Sequence, residues 1–181
     1  VSITTAAALP STAQVQFARN FSEIAFGFAA STQTSTFNNN FVLNSTNAAG
    51  SFTSYIGANA GNQITLNGVI SGNSDLVFAT GTAGGAGVIL LNNNNLYTGS
   101  TTLNNFNSGV IRLGASNALP PTTALVFGIG SNNTGALDLN GFTQTVAALS
   151  SNTTGSVNGI ANTAGLSTLT INGNASTTYA G

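Results

Sequence analysis

The fold is decided by residues 97–149, which read YTGSTTLNNFNSGVIRLGASNALPPTTALVFGIGSNNTGALDLNGFTQTVAAL. Three apolar pairs here have one intervening residue, so both members of a pair face the same side of a strand. They are Ile111 with Leu113, Leu125 with Phe127, and Leu137 with Leu139. Strand centres lie roughly a dozen residues apart, which leaves no room for a crossover helix. Short strands separated by Gly, Asn and Pro turns are typical of a sandwich, a barrel or a solenoid.

Charged side chains are rare in this sequence. They make up 3% of the 181 residues, against about 25% in an ordinary soluble domain. The hydrophobic share of 41% is too high for a disordered chain. A net charge of −1 gives no electrostatic attraction to nucleic acid or to anionic lipid. A surface of Asn, Ser, Thr and Gly repels other copies weakly, so we expect a chain that assembles.

The sequence lacks the residues that most active sites and metal sites use. It contains no Cys, His, Met or Trp, and its acids are Glu23, Asp75 and Asp138. A catalytic triad needs a base such as His, and metal sites need His, Cys or several acids. Asp75 and Asp138 as a glycosidase pair are less plausible than a turn residue and an outward-facing strand residue. We therefore predict no enzyme activity, no catalytic residue, no cofactor and no metal site.

The N-terminal third is less regular than the remainder. Alternation at Val15 and Phe17 favours a strand, and the alternative is a short helix over Thr12–Glu23. We expect residues 1–60 to form N-terminal strands, a cap or the first coils, and residues 61–181 to form regular coils of the same continuous domain. No apolar run approaches the 18 or so residues of a membrane helix. The start at Val1, without a signal-peptide pattern, is what a processed chain or a fragment would show.

A recurring cassette favours a solenoid over ordinary hairpins. The pattern apolar-x-apolar-Asn-Gly occurs at Ile64–Gly68, Leu137–Gly141 and Leu169–Gly173, and Gly-Val-Ile occurs at 68–70, 87–89 and 109–111. Asn and Gly tolerate the positive φ of tight corners, although hairpin turns use the same residues. With two or three strands per coil, a coil would take roughly 24–36 residues, giving about five to seven coils.

The prediction is therefore an all-β protein, a parallel β-helix. The predicted inward-facing residues are Ile64, Leu66, Leu76, Phe78, Ile111, Leu113, Leu125, Phe127, Leu137 and Leu139. The predicted turn residues are Gly68, Gly99, Gly114, Gly141 and Gly173. The runs Asn38–Asn40 and Asn92–Asn95 are candidates for stacked amide ladders inside the coils, with plain polar turns as the alternative.

Residues from about 64 onward resemble the autotransporter-associated β-strand repeat, also called the passenger-associated transport repeat. The matching positions are Asn94, Tyr97, Thr98, Gly99, Thr101, Thr102, Gly109, Ile111, Leu113, Gly114, Ala118, Leu119, Leu137, Asp138, Leu139, Asn140, Gly141, Gln144, Thr145 and Val146. The resemblance implies a right-handed parallel β-helix exported to the surface of a Gram-negative-type bacterium, as a stalk, adhesin or matrix component. The family's usual Lys after Ser-Gly is absent here, and so is a translocator barrel.

The final residues, STTYAG, carry no polar cap, so we expect the last coil to stack on a further coil. An open solenoid end exposes unpaired backbone groups, and a head-to-tail contact that does not close produces a filament. We expect assembly through Val1, Ile3, Leu169, Ile171 and Tyr179, with another copy or neighbouring repeats as the partner. The expected role is an extracellular structural fibre, secreted or on the cell surface. The alternative is a carbohydrate- or surface-binding adhesin segment that binds surface glycans. Tyr55, Tyr97 and Tyr179 are candidate sugar-stacking residues for it, although the pattern favours half-buried strand aromatics at these positions.

Overall fold

The computed structural model describes residues 9–17, 21–26, 34–44, 53–80, 87–105, 109–129, 134–152 and 158–180, with the backbone alone at 21–26 and 105. All regular structure in these ranges is β-strand. The strands are β1 (Val15–Phe17), β2 (Phe21–Phe26), β3 (Thr34–Phe37), β4 (Phe41–Leu43), β5 (Thr53–Ala58), β6 (Gln63–Leu66), β7 (Ile70–Gly72), β8 (Asp75–Thr80), β9 (Val88–Leu91), β10 (Leu96–Tyr97), β11 (Thr101–Asn105), β12 (Val110–Leu113), β13 (Ala124–Phe127), β14 (Ala136–Asp138), β15 (Gln144–Val146), β16 (Ala148–Ser151), β17 (Gly159–Ala161) and β18 (Leu169–Ile171).

The strands stack as a parallel β-solenoid of about five turns. Sheet I has the order β2-β5-β8-β11-β13-β16, and sheet II has the order β3-β6-β9-β12-β14-β17. Sheet III contains β1-β4-β7-β10, and sheet IV pairs β15 with β18. Strands adjacent in the chain lie in different sheets, and each pairs with a strand of the next coil. The predicted fold class, an all-β parallel β-helix, is therefore confirmed.

The stacking distance along the chain is close to 25 residues. Leu76 of β8 lies beside Thr101 of β11, and Thr101 lies beside Leu125 of β13. Side-chain hydrogen bonds between coils join residues 21 to 29 positions apart. Most coils carry three strands, so the coil length falls at the short end of the range that the sequence predicts.

Columns of apolar side chains fill the space between the sheets. In sheet II, Ile64, Ile89, Ile111 and Leu137 stand directly above one another, and each has no exposed surface. In sheet I, Phe78, Leu103 and Phe127 form a second such column. All ten residues that the sequence predicts to face inward are buried, and Leu139 is the most exposed of them at 6%. Apolar residues two positions apart along a short strand therefore identify these core residues correctly.

The cassettes seen in the sequence stack only in part. Ile64 and Leu137 do share one column of sheet II, but Leu169 begins β18 in sheet IV. Likewise the Gly-Val-Ile runs at 87–89 and 109–111 stack in sheet II, whereas Ile70 belongs to sheet III. A cassette therefore does not mark one fixed place in the coil. A strand followed by a corner needs the same residues in any sheet, so the motif alone cannot identify the sheet.

Most predicted turn glycines serve a different purpose from the one expected. Of the five, only Gly141 has a positive φ, at 83°, next to Asn140 at 50°. At Gly68 and Gly173 a β-carbon would collide with the backbone carbonyls of Asn39 and Ala147 in the coil below. Gly99 and Gly114 face similar obstructions from Ser74 and Asn92. These four glycines are required because neighbouring coils approach closely, rather than because the backbone needs a positive φ there.

The N-terminal region joins the same solenoid. Strands β1 and β2 confirm the strand prediction for this region over the helix at Thr12–Glu23. The described residues before position 60 form the first coils of sheets I, II and III. Val1 and Ile3, two of the predicted assembly residues, lie outside the described residues.

Gly68→Ala should destabilise the fold by about 3 kcal/mol, because the new methyl group meets backbone that cannot move aside. Gly159→Ala is the matched control, since it lies in the same kind of coil and has no atom within 4 Å of the added β-carbon. Urea unfolding of both variants measures the difference. Equal midpoints for the two variants would show that coil spacing does not depend on the missing β-carbon.

Candidate functional site

The polar corner is the part of the described surface where the resemblance motifs and the Asn runs come together. We use this name for the segments 38–40, 67–69, 92–95, 114–118, 139–143 and 162–168, which follow successive strands of sheet II. Asn, Ser, Thr and Gly dominate them because the backbone bends here and regular strand pairing is interrupted. Side chains therefore have to satisfy part of the backbone of the neighbouring coils.

An amide ladder runs along the outside of this corner. Asn67 Nδ2 donates to Asn38 Oδ1 at 2.7 Å, and Asn92 Nδ2 donates to Asn67 Oδ1 at 3.0 Å. The next position is Gly114, where a β-carbon would collide with Asn92 Oδ1. The predicted amide ladder therefore exists, but it has three members and is exposed rather than inside the coils.

Other amides act as substitutes for a backbone peptide group. Asn95, which is buried, accepts from the Ile70 N–H at 2.7 Å and donates to the Ala118 carbonyl at 2.8 Å. It thereby connects the coil below to the coil above. Asn158 makes the same kind of bridge, accepting from Gly135 N and donating to Ala180 O. A buried amide with both ends paired is stabilising, whereas one left unpaired is costly.

Gln144 repairs a break that two prolines make in the stack. Pro120 and Pro121 occupy the level between β10 and β15, and proline has no N–H for strand pairing. Gln144 Oε1 accepts from the Leu119 N–H at 3.0 Å, and Gln144 Nε2 donates to the Leu119 carbonyl at 2.9 Å. The side chain thus presents the same donor and acceptor as a neighbouring strand would. This explains why sheets III and IV are separate although the coils continue.

Asp138 is the most densely bonded charge in the described chain. Its Oδ2 accepts from Arg112 Nε at 2.8 Å and from Thr163 Oγ1 at 2.7 Å. Its Oδ1 accepts from the backbone N–H groups of Asn140 at 2.9 Å and Thr163 at 3.1 Å. Arg112 and Asp138 are register partners in adjacent coils. The carboxylate therefore ties three successive coils together.

These bonds decide the protonation behaviour of Asp138. Burial by itself would raise the pKa of this carboxyl, since a charge loses its hydration in the interior. The hydrogen bonds from Thr163, Arg112 and Asn140 outweigh burial and hold the pKa below its ordinary value. The predicted outward direction of Asp138 is confirmed, but Asp138 is not a plain surface residue, because it is only 1% exposed. It leaves the strand on the outer side, but the next coil covers it.

A second set of hydrogen-bonded polar side chains lies inside the solenoid. Tyr97, Thr101 and Thr123 are each at most 1% exposed. Thr123 Oγ1 donates to the Gly99 carbonyl, so it accepts from Thr101, which in turn accepts from the Tyr97 hydroxyl at 2.6 Å. Burial raises the pKa of Tyr97, and its bond to Thr101 opposes this only in part. These buried residues of the Y-T-G-x-T-T motif therefore align two neighbouring coils rather than presenting a binding surface.

The two described aspartates do not form a glycosidase pair. Asp75 begins β8 in sheet I, whereas Asp138 ends β14 in sheet II. Asp75 Oδ1 accepts from Ser100 N and Ser100 Oγ in the next coil, at 2.7 and 2.8 Å. No group of three or more His, Cys, Asp or Glu residues suited to a metal ion occurs among the described residues. Both acids instead connect neighbouring coils.

The three candidate sugar-stacking tyrosines do not form one exposed row. Tyr97 is buried in the core, and Tyr55 lies half-buried on sheet I. Tyr179 packs edge-on against Phe127, with ring centroids 5.3 Å apart, and its hydroxyl donates to the Asn158 carbonyl. The Tyr179 ring has room above Phe127 because the residue that pairs with Phe127 in the next coil is the small Ser151. Burial raises the pKa of Tyr179.

The predicted assembly residues in the last coil differ in exposure. Leu169 is half-buried against β15, and Ile171 is 52% exposed. Leu166, which the sequence analysis did not select, is the most exposed large apolar residue of the described chain, at 96%. Tyr179, expected at the open end, instead covers part of the core. Leu166 follows the turn Asn-Thr-Ala-Gly and is not part of an alternating strand pattern. The sequence around it therefore did not indicate an exposed apolar residue.

Comparison with family models, with curated proteins and with solved structures found no match to this chain. The repeat-family resemblance therefore stays a prediction based on the residues that carry it. In the ranges that the structure describes, no helix is long and apolar enough to cross a membrane.

Replacing Gln144 by Ala should destabilise the protein by about 2–4 kcal/mol, because the buried N–H and C=O of Leu119 lose their partners together. Gln16→Ala removes the same side chain from an exposed position of β1 and should change stability by less than about 0.5 kcal/mol. Thermal unfolding followed by circular dichroism compares them. Similar losses for both variants would mean that Gln144 does not replace a strand at the proline break.

Acid should remove the contribution of Asp138 to stability. The folded-state pKa is lower than the ordinary value of 3.8, so this contribution is complete above pH 3.8 and is lost as the pH falls through the folded-state value. Chemical unfolding at a series of pH values should show the midpoint falling below pH 3.8. The variant Asp138→Asn should start less stable and show a smaller decline. An equal decline in both proteins would assign the acid sensitivity to other groups.

Proposed function

We propose that this chain is a structural unit of an extracellular bacterial fibre or matrix filament. Growth occurs by stacking coil upon coil, with a second copy joined head-to-tail or with neighbouring repeats in tandem. The observation that carries the proposal is strand β18 in the last described coil, which continues the stack by pairing with β15 and has an open other side in the described chain. A further coil in the same register would pair with the backbone groups on that open side.

The open side of β18 follows from its hydrogen bonds. The Thr168 carbonyl and the Asn172 N–H both bond to the β15 segment, at Gln144 and Val146. In a parallel sheet, alternate residues address opposite neighbours. Leu169 and Ile171 therefore direct their backbone N–H and C=O groups away from β15. Such groups on a parallel strand form a template for another strand.

Apolar surface on the same coil adds a driving force. Leu166 and Ile171 are exposed there. The register partner of Ile171 in the previous coil, Val146, is fully buried. Covering apolar surface gains about 25 cal/mol for each Å² removed from water. Backbone pairing then supplies direction, and apolar contact supplies part of the free energy.

The sides of the solenoid offer little electrostatic resistance to assembly. The described charges are engaged with neighbours: Asp138 with Arg112 and Thr163, and Asp75 with Ser100. A filament of such units would carry a small charge per unit length, since the whole chain has a net charge of −1. Salt should accordingly change its assembly only slightly. The bacterial and extracellular parts of the proposal are supported by the resemblance of residues 64–181 to an exported repeat.

A carbohydrate-binding adhesin segment is the second candidate, and the structure supports it less. Sugar recognition by stacking requires exposed aromatic faces. Among the described residues, Tyr97 is buried and Tyr179 packs on Phe127. Tyr55 remains the tyrosine with an outward position on a sheet.

Electron microscopy of the purified chain should show filaments one solenoid wide. Ile171→Pro should shorten or abolish them, because proline removes an N–H on the open side of β18. Ile171→Val keeps the strand and is the control. Filaments that persist unchanged in Ile171→Pro would reject β18 as the growing edge, and isolated short rods in the parent protein would reject self-assembly in favour of a tandem array.

A further inference from the structure

The sequence contains four Asn-Gly dipeptides, whose side-chain reactivity can be compared. They are Asn67–Gly68, Asn140–Gly141, Asn158–Gly159 and Asn172–Gly173. In an Asn-Gly sequence the glycine nitrogen can attack the Asn Cγ, because glycine has no side chain to obstruct the approach. Whether this happens in a folded protein depends on whether the amide group and the glycine nitrogen are free to meet.

In three of the four pairs, hydrogen bonds hold the reacting groups apart. Asn158 is 4% exposed, with both ends of its amide bonded to other coils, and Gly159 N donates to the Gly135 carbonyl. Asn140 Nδ2 donates to the Leu113 carbonyl, while Gly141 N donates to Asn162 Oδ1. The nucleophilic nitrogen is therefore engaged in both pairs.

Asn67 is protected by its amide alone. Its Nδ2 and Oδ1 are both used in the exposed amide ladder with Asn38 and Asn92. Gly68 N has no hydrogen-bond partner in the described chain. Rotation of the amide towards Gly68 would require both ladder bonds to break.

Asn172 lacks every one of these restraints. Its side chain is exposed and makes no hydrogen bond with any residue that the structure describes, and Gly173 N likewise has no partner among those residues. The backbone environment matches that of Asn67, since both glycines lie against a carbonyl of the coil below. The two sites therefore differ in side-chain bonding and exposure rather than in backbone packing. This makes Asn67 an internal control.

We propose that Asn172 is a site of spontaneous deamidation in the folded chain, and that the ladder protects Asn67 from the same reaction. The Gly173 nitrogen forms a bond to Asn172 Cγ, the Cγ–Nδ2 bond breaks, and the nitrogen's proton leaves with the departing ammonia. Water then opens the succinimide ring to aspartate or isoaspartate. No oxidant, metal or enzyme takes part, and the protein gains one carboxylate.

The product would alter the coil at which it forms. A new carboxylate adds to a chain with three acidic and two basic residues. Isoaspartate also inserts a methylene group into the backbone immediately after β18, where Gly173 must lie close to Ala147. Strand β18 pairs with β15 alone in the described chain, so this site has fewer restraints than the interior coils.

The test is peptide mass spectrometry of the full chain during incubation in mildly alkaline buffer. Modification at Asn172 should be at least about ten-fold faster than at Asn67, Asn140 or Asn158, the factor that one or two ordinary hydrogen bonds impose. The variant Asn38→Ala/Asn92→Ala removes both partners of Asn67 and should raise its rate towards that of Asn172. Circular dichroism checks that this variant is folded, and Asn172→Ala confirms the assignment.

Three outcomes would overturn the proposal. Equal rates at all four sites would show that side-chain bonding does not control the reaction. Continued protection of Asn67 in the folded double variant would show that the ladder is not the cause. A rate at Asn172 no faster than at the interior sites, measured where light scattering shows single chains, would likewise exclude Asn172 as the reactive site.

Discussion

Every coil of this protein must place its backbone about 4.8 Å above the previous coil, and the remainder of the structure depends on keeping that spacing. Within the strands the parallel pairing of sheets I and II maintains it. Inside, like side chains repeat in columns such as Ile64, Ile89 and Ile111. At the corners Gly68 and Gly173 leave out a β-carbon that the adjacent coil would strike. One constraint thus explains core, sheets and glycines together.

Side-chain amides maintain the spacing where backbone pairing cannot. Gln144 faces Leu119 across the proline break, and Asn95 joins Ile70 to Ala118. An amide carries one carbonyl and one N–H group, so it can enter a ladder as a backbone peptide does. Asp138 does comparable work with a charge, because four donors from two coils and its own turn converge on it. The abundance of Asn, Ser and Thr therefore has a structural purpose beyond solubility.

Sequence reasoning succeeded where a local pattern controls the structure. Alternation by two at Ile111 and Leu113 places both residues in the core, because strand geometry leaves no other option. It failed where the partner lies a full coil away, since the distance of about 25 residues varies between corners. The outward direction of Asp138 was predicted correctly, but its bonds to Thr163 in the next coil left no signal in the local alternation. For the same reason, the Gly-Val-Ile runs and the apolar-x-apolar-Asn-Gly cassettes do not reveal which sheet each strand joins.

The central claim is that one unit can continue the coil stack of another. The most direct measurement compares denaturant unfolding of the 181-residue chain with that of two copies fused end to end. In a solenoid, stability is the sum of the repeats and of the contacts between neighbours. We predict that the fused chain unfolds in one transition, at a higher midpoint and with a steeper slope than the single chain. Two copies that unfold at the midpoint and slope of the single chain would contradict the account, because their ends would then share no interface.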